Sequence, residues 1–273
     1  MIKVVHRKIQ RDGLGSLIHS VLRFSLSRIS PFGIKPDIVR ARLGLSLGSS
    51  LGFEVRYGPF KGLVVNKDFV WGKSNLATML LGLYEVEVIS RISKIALTRS
   101  SFIEVGSADG FYAAGALKLL PFERGLFFES TKKGRDSTLN TLRSNKVEKP
   151  FKILEEAGVD FVQTILANGF DLTDSLILCD IEGGEFDLFY IETLQVLRNS
   201  VILIELHEFH KNDHEIELFL KNFTQYFRVE FFKSGPRDLD HITEIEHLSD
   251  DIRWALCSEG RRTSMRWLLA TPK

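Results

Sequence analysis

The sequence predicts an α/β protein: a Rossmann-like, seven-stranded, mostly parallel sheet with helices on both faces, preceded by an N-terminal helical and hairpin extension. Three observations carry this expectation. From residue 101 onward, short apolar runs alternate with helical stretches, the pattern of successive strand-helix-strand units. Two of the runs, Leu176-Ile177-Leu178 and Val201-Ile202-Leu203-Ile204, are continuously apolar, as a parallel strand buried on both faces requires. The stretch SFIEVGSADG at 101–110 reads as a strand, a glycine turn and a helix start.

The extension occupies 1–98 and the sheet domain 99–273. Residues 1–42 hold nine Lys or Arg against two Asp, while the whole chain carries a net charge of +1. Within this basic arm Leu14, Leu17, Ile18, Val21, Leu22, Leu26 and Ile29 form one apolar stripe at helical spacing. The ordinary use of such a stripe is packing against the main domain or a second subunit, as in a homodimer, and its charge also suits peripheral contact with an anionic membrane surface. Gly58-Pro59-Phe60, between 52–57 and 61–65, predicts a short hairpin, and 75–96 a long helix leading to the first strand. Trp71, Tyr84, Glu85 and Glu87 sit where this segment would roof a cleft, with the two acids read as facing water. Strands are expected at 102–105, 125–129, 151–154, 176–180, 201–206, 229–233 and 267–270. Helices are expected to start near Gly110, Lys133, Asp160 and Gly184, with another over 213–226.

Composition excludes several classes. A content of 44% hydrophobic and 26% charged residues describes a folded chain rather than a disordered one, and its near-neutral charge gives no reason to expect nucleic acid. No run reaches the ~18 apolar residues of a membrane-spanning helix, and Met1 opens no signal peptide, so the expected compartment is the cytoplasm. Cys179 and Cys257 form neither a disulfide framework nor a zinc pattern.

In a parallel sheet, ligands gather beyond the carboxyl ends of the strands. That rule collects Glu104 with Gly106, Glu129, Glu155 with Glu156, Asp180 with Glu182, and Glu205 with His207 on the rim of one crevice. Gly106 and Gly110 permit a close turn, Ser107 and Ala108 keep it low, and Asp109 is placed to cap the following helix. Glu129, ending a second strand 25 residues after Glu104, is suited to ribose hydroxyls, so a nucleotide-like cofactor is expected. Asp180 follows a buried strand and requires a polar partner. Alternation sends Glu205 and His207 to one side, where the carboxylate would raise the basicity of the ring. Asp180, Glu205 and His207 are then either a general base with its carboxylates or the ligand set of a divalent cation, with the base preferred. Glu185 reads as an ordinary acid in a first helical turn.

Taken together, EVGSADGFYAAG, LFFES, LILCDIEGGEFDLF, VILIELHE and RWLLATP resemble an FkbM-type methyltransferase, a branch of the class I S-adenosylmethionine-dependent methyltransferases, over residues 102–272. The resemblance implies strand order 3-2-1-4-5-7-6 with the seventh strand antiparallel. It also implies S-adenosylmethionine as cofactor, with Glu104, Gly106, Ser107 and Gly110 near its methionine portion, Glu129 on its ribose, and Asp180 and Glu182 in the fourth-strand motif. Where the family usually carries Asp-Val-Gly-Ala-Asn, this chain has Glu104-Val105-Gly106-Ser107-Ala108-Asp109, which adds the Asp109 carboxylate to the cofactor set. The expected activity is O-methylation of a sugar or glycan hydroxyl, with His207, Asp180 and Glu205 catalytic. The alternatives are an NAD-dependent oxidoreductase, disfavoured by the incomplete GxGxxG pattern, and a non-catalytic scaffold that binds carbohydrate or protein.

Overall fold

The computed structural model describes residues 36–273 apart from Asp68, Arg262 and Ser264. The stripe at 14–29, with the membrane or subunit contact expected of it, lies outside the described residues.

The seven strands are β1 (Ser101–Val105), β2 (Arg124–Phe128), β3 (Phe151–Leu154), β4 (Ser175–Cys179), β5 (Val201–Leu206), β6 (Phe227–Lys233) and β7 (Arg266–Pro272). They form one sheet in the order β3-β2-β1-β4-β5-β7-β6. β7 runs antiparallel to both β5 and β6, and the other pairings are parallel. This is the expected order, and it puts the ends of β1, β4 and β5 side by side at the centre.

The continuous apolar runs explain the layering, because every residue of β1, β4 and β5 is buried. Phe102, Leu178, Leu203 and Trp267 face one side, packed with Val88, Ile92 and Leu117 from the helices Val86–Ile95 and Phe111–Leu119. Ile103, Ile177, Ile202 and Leu268 face the other, against Phe161, Leu194 and Phe223 from Phe161–Ala167, Ile191–Leu197 and Asp213–Tyr226. Phe60, Leu63, Leu76 and Leu80 belong to the same cluster as Phe102 and Trp267, so one core runs across residue 98. Among the described residues no helix is long and apolar enough to cross a membrane.

Two expectations for the extension are corrected. The hairpin reduces to a single antiparallel bridge, Glu54 with Val64, because its turn dips into the core. Phe60 is 1% exposed and meets the Phe111 ring edge-on at 5.4 Å, which bends the chain away from a ladder. The long helix over 75–96 is instead two, Leu76–Leu80 and Val86–Ile95. Gly82, at φ +66°, lies so close to Tyr57 that a Cβ would collide with its carbonyl oxygen. Glu85 is also left-handed, at φ 41°, and the reversal buries Glu85 and sets Tyr84, half-buried, against the core.

Gly82→Ala is expected to cost about 2–3 kcal/mol of stability, from the collision and the unfavourable φ together. Urea unfolding followed by circular dichroism measures it, and a change within error would show that the reversal does not depend on this contact.

Candidate functional site

The site grows from the exit of β1. Gly106, at φ +94°, lies against the backbone of Asp180, and a Cβ there would collide with the Asp180 carbonyl oxygen. The amides of Gly106 and Ser107 donate to the Phe128 carbonyl at 2.9 and 3.0 Å, which ties the turn to the end of β2. Glu129 braces it from beside: Oε2 accepts from the Ala108 amide at 3.0 Å, and Oε1 accepts from the amide and hydroxyl of Thr131 at 2.9 and 2.7 Å.

Asp109 does not cap the helix Phe111–Leu119, whose N-cap is Gly110 without a side-chain bond. Its carboxylate is drawn away by three donors, the amides of Val70 and Trp71, both at 2.8 Å, and the Ser137 hydroxyl at 2.9 Å. It therefore pins the 70–71 segment beside the turn. The Ser107 hydroxyl is likewise engaged, with Thr138 at 3.0 Å.

A cleft of about 490 Å³ opens above the turn, bounded by Glu104, Gly106, Glu129, Asp180 and Glu182, with Trp71 and Tyr84 on the side of the extension. Its volume falls within the range of small-molecule sites. Glu104 is 3% exposed, and its buried Oε2 has no hydrogen-bond partner. Burial, then the charges of Asp180 and Glu129, push its carboxyl well above the usual range. Glu156 also lines the cleft, whereas Glu155 points away and pairs with Arg135 at 3.2 Å.

At the far end, the tips of β4 and β5 bring a group of acids around one imidazole. His207 Nε2 lies 3.6 Å from Asp180 Oδ1, 3.6 Å from Glu182 Oε2 and 3.7 Å from Glu205 Oε2. Donor atoms of Asp180, Glu205 and His207 lie within 4.8 Å of one another, a group able to hold a metal ion. Glu205 and His207 stand behind Asp180 and Glu182 and do not line the cleft themselves.

Glu185 is more than a first-turn acid. It is fully buried, and its Oε1 accepts from the His207 amide at 2.7 Å and faces Nδ1 at 3.3 Å, while Oε2 accepts from the Gly183 amide at 2.8 Å. Nor do Glu85 and Glu87 face water. Glu85 is 1% exposed and bonded to Arg261 and the Tyr112 hydroxyl, and Arg261 also binds Glu205. Glu87 pairs with Arg237 at 2.8 Å, and Arg237 reaches Glu259 at 2.6 Å. Glu259 in turn accepts from Arg261 Nε at 2.7 Å.

Crowded acids in a desolvated place hold their protons more tightly. Burial and then the charge of Glu85 raise Asp180 to about 7, burial and then Asp180 raise Glu205 to about 8, and burial and then Glu205 raise Glu85 to about 7. Burial alone would lower His207, but the hydrogen bond to Glu185 and the nearby carboxylates outweigh it, and the ring titrates at about 9. The surrounding carboxylates thus favour the protonated form of the ring, in the direction of the raised basicity expected from the sequence. Asp180, with a third of its side chain exposed to the cleft, changes charge near neutrality.

The sheet order and the cleft at the strand ends define a Rossmann-like fold with its candidate site at the tips of β1, β2 and β4. No protein-family model and no curated protein matches the chain. Among solved structures it is similar to the O-methyltransferase TomG from Streptomyces achromogenes, in complex with S-adenosylmethionine, at 13% identity over 77% of this chain and 92% of that one, with a TM-score of 0.48. It is similar to a putative O-methyltransferase from Klebsiella pneumoniae at 9% identity, 93% and 96% coverage and a TM-score of 0.46. A Bacillus cereus O-methyltransferase, in complex with S-adenosylhomocysteine, shares 10% identity over 86% and 91%, with a TM-score of 0.46. The chemistry of the cleft has to be read from its own residues.

Asp180, Glu205, Glu85 and His207 all hold protons more tightly folded than unfolded, so their contribution to stability is full at low pH and is lost as pH rises from about 4 to about 9. Asp180→Asn, which removes one of these charges, is expected to stabilise the ligand-free protein at pH 8 by about 1 kcal/mol and to leave it little changed at pH 4. Melting temperatures across that range check this, and a variant less stable at pH 8 would contradict it.

Proposed function

We propose that this chain is an S-adenosylmethionine-dependent O-methyltransferase of the FkbM type, acting on a sugar or glycan hydroxyl. One observation carries the reading: a glycine turn that offers no side chain and a carboxylate-lined floor share a single cleft. The residues fit this cofactor. A positively charged, adenosine-bearing molecule suits Glu104, whose buried oxygen lacks a donor, and Glu129 at the tip of β2. The surface left bare by Gly106 suits close approach of its chain. Gly106, Ser107, Asp109 and Gly110 contribute through the turn they shape, Glu104 and Glu129 through their carboxylates, and Asp180 and Glu182 at the boundary with the acceptor.

Bound there, the cofactor supplies an electrophilic methyl carbon on a sulfonium. The chain must then align an acceptor hydroxyl, exclude water and take up its proton. Asp180 lines the cleft with a third of its side chain exposed and stands beside His207, so we assign it the hydroxyl proton. His207, held by Glu185, places a positive charge beside Asp180, and Glu205 connects that pair to Arg261. Carboxylates along the floor also suit hydrogen bonds to a polyol, which is the support for a sugar acceptor.

Calorimetry with S-adenosylhomocysteine is the first test: binding is expected in the wild type and is expected to be lost in Gly106→Ala. Binding of NAD in its place, or of neither, would sink the reading. With labelled S-adenosylmethionine and a panel of mono- and oligosaccharides, Asp180→Asn is expected to lower kcat by about 100-fold. An unchanged kcat would remove Asp180 from the mechanism.

A further inference from the structure

We propose that Asp180, Glu205 and His207 bind a single divalent cation of the manganese or zinc kind at the acceptor end of the cleft, with Glu182 at its edge. The role of the ion rests on the function proposed above, while its binding does not. His207 faces its neighbours as a ligand would. A ring N–H donated to a carboxylate sits at about 2.7–2.9 Å from one oxygen. Here Nε2 stands at 3.6, 3.6 and 3.7 Å from oxygens of three different residues and is bonded to none. Ligand atoms around one ion with bonds of about 2.0–2.2 Å lie roughly 3 to 4.4 Å from one another, and donor atoms of Asp180, Glu205 and His207 all lie within 4.8 Å of one another, close to that spacing.

The other side of the ring is held as well. A metal-binding imidazole characteristically gives its second N–H to a carboxylate, which fixes the tautomer and leaves the opposite lone pair free. Glu185 does this for His207: it is wholly buried, faces Nδ1 at 3.3 Å, and is itself held by the Gly183 and His207 amides. Nε2, in a side chain 3% exposed, is thereby aimed at the gap between the acids.

The oxygens that face this gap are uncommitted while their neighbours are not. Arg261 occupies Glu205 Oε1 and leaves Oε2 toward His207. Glu182 reaches the group only through a left-handed backbone, at φ 54°, a conformation that costs a non-glycine residue about 1 kcal/mol or more. One imidazole with carboxylates suits manganese or zinc better than magnesium. Such an ion, with positions open toward the cleft, would hold the acceptor through its hydroxyl oxygens and acidify the one being methylated. It would take the place beside Asp180 that the ring proton holds in its absence.

The test uses untagged, metal-stripped full-length protein and manganese(II), with the free ion followed by electron paramagnetic resonance and zinc(II) added as a competitor. Uptake of about one ion per chain is expected. Asp180→Asn and Glu185→Gln are each expected to weaken it by about tenfold or more. Glu182→Gln, at a side chain 81% exposed, is expected to weaken it several-fold without threatening the fold, which melting curves would check for every variant. No saturable uptake of either metal into the millimolar range, or uptake unchanged in all folded variants, overturns the site. Titration of S-adenosylhomocysteine on the same samples separates the two ideas. If the analogue binds and no metal is taken up, the ion is defeated and the methyltransferase reading stands; if metal is taken up and the analogue does not bind, the reverse holds.

Discussion

The structure turns on a close contact between the exits of β1 and β4. Gly106 lies against the carbonyl of Asp180, and the Asp180 amide donates to the Val105 carbonyl at 3.0 Å. Two parallel strands are thus joined at their tips by backbone alone, without a side chain between them. The turn that would cradle a cofactor and the carboxylate that would meet an acceptor are consequently set by one contact. Glu129 extends the same brace to the end of β2, and Glu185 to the end of β5.

Behind that contact the protein gathers acids and distributes two guanidinium groups among them. Arg261 joins Glu85, Glu205 and Glu259, and Arg237 joins Glu259 and Glu87. Buried ion pairs of this kind add little net stability, because desolvation offsets most of their attraction, yet losing one partner is costly. Their effect is to fix position: the segment carrying Glu259 and Arg261 is held to the start of the helix Val86–Ile95 and to the tip of β5 together.

Much of this was legible in the sequence, for physical reasons that also mark where reading stops. Strands buried on both faces leave continuous apolar runs, so β4 and β5 could be placed directly. The helix expected over 213–226 is found at Asp213–Tyr226, where the structure closes its start with a capping box, Asn212 with Glu215. The strand-end rule gathered Glu104, Glu129, Asp180, Glu182, Glu205 and His207 without reference to distance. The pairing of Glu85 with Arg261 was not legible, since it spans 176 residues and depends on a helix broken at Gly82. Glu185 was undervalued because a first-turn acid already has a sufficient local explanation, and only the fold shows its carboxylate turned toward His207. Asp109 was misread for a related reason: its partners are backbone amides at 70 and 71, which carry no sequence signature.

The insertion of Phe60 into the core bears on how the molecule can be dissected. Gly115, on the helix Phe111–Leu119, has no side chain where the Phe60 ring passes, so the two are matched like a peg and its socket. Cutting the chain near residue 98 would empty that socket and wet the sheet face around Trp267. The stretch 55–96 is thus structural lining for the sheet domain rather than an appendage, and a fragment starting at β1 would be a poor stand-in for the whole.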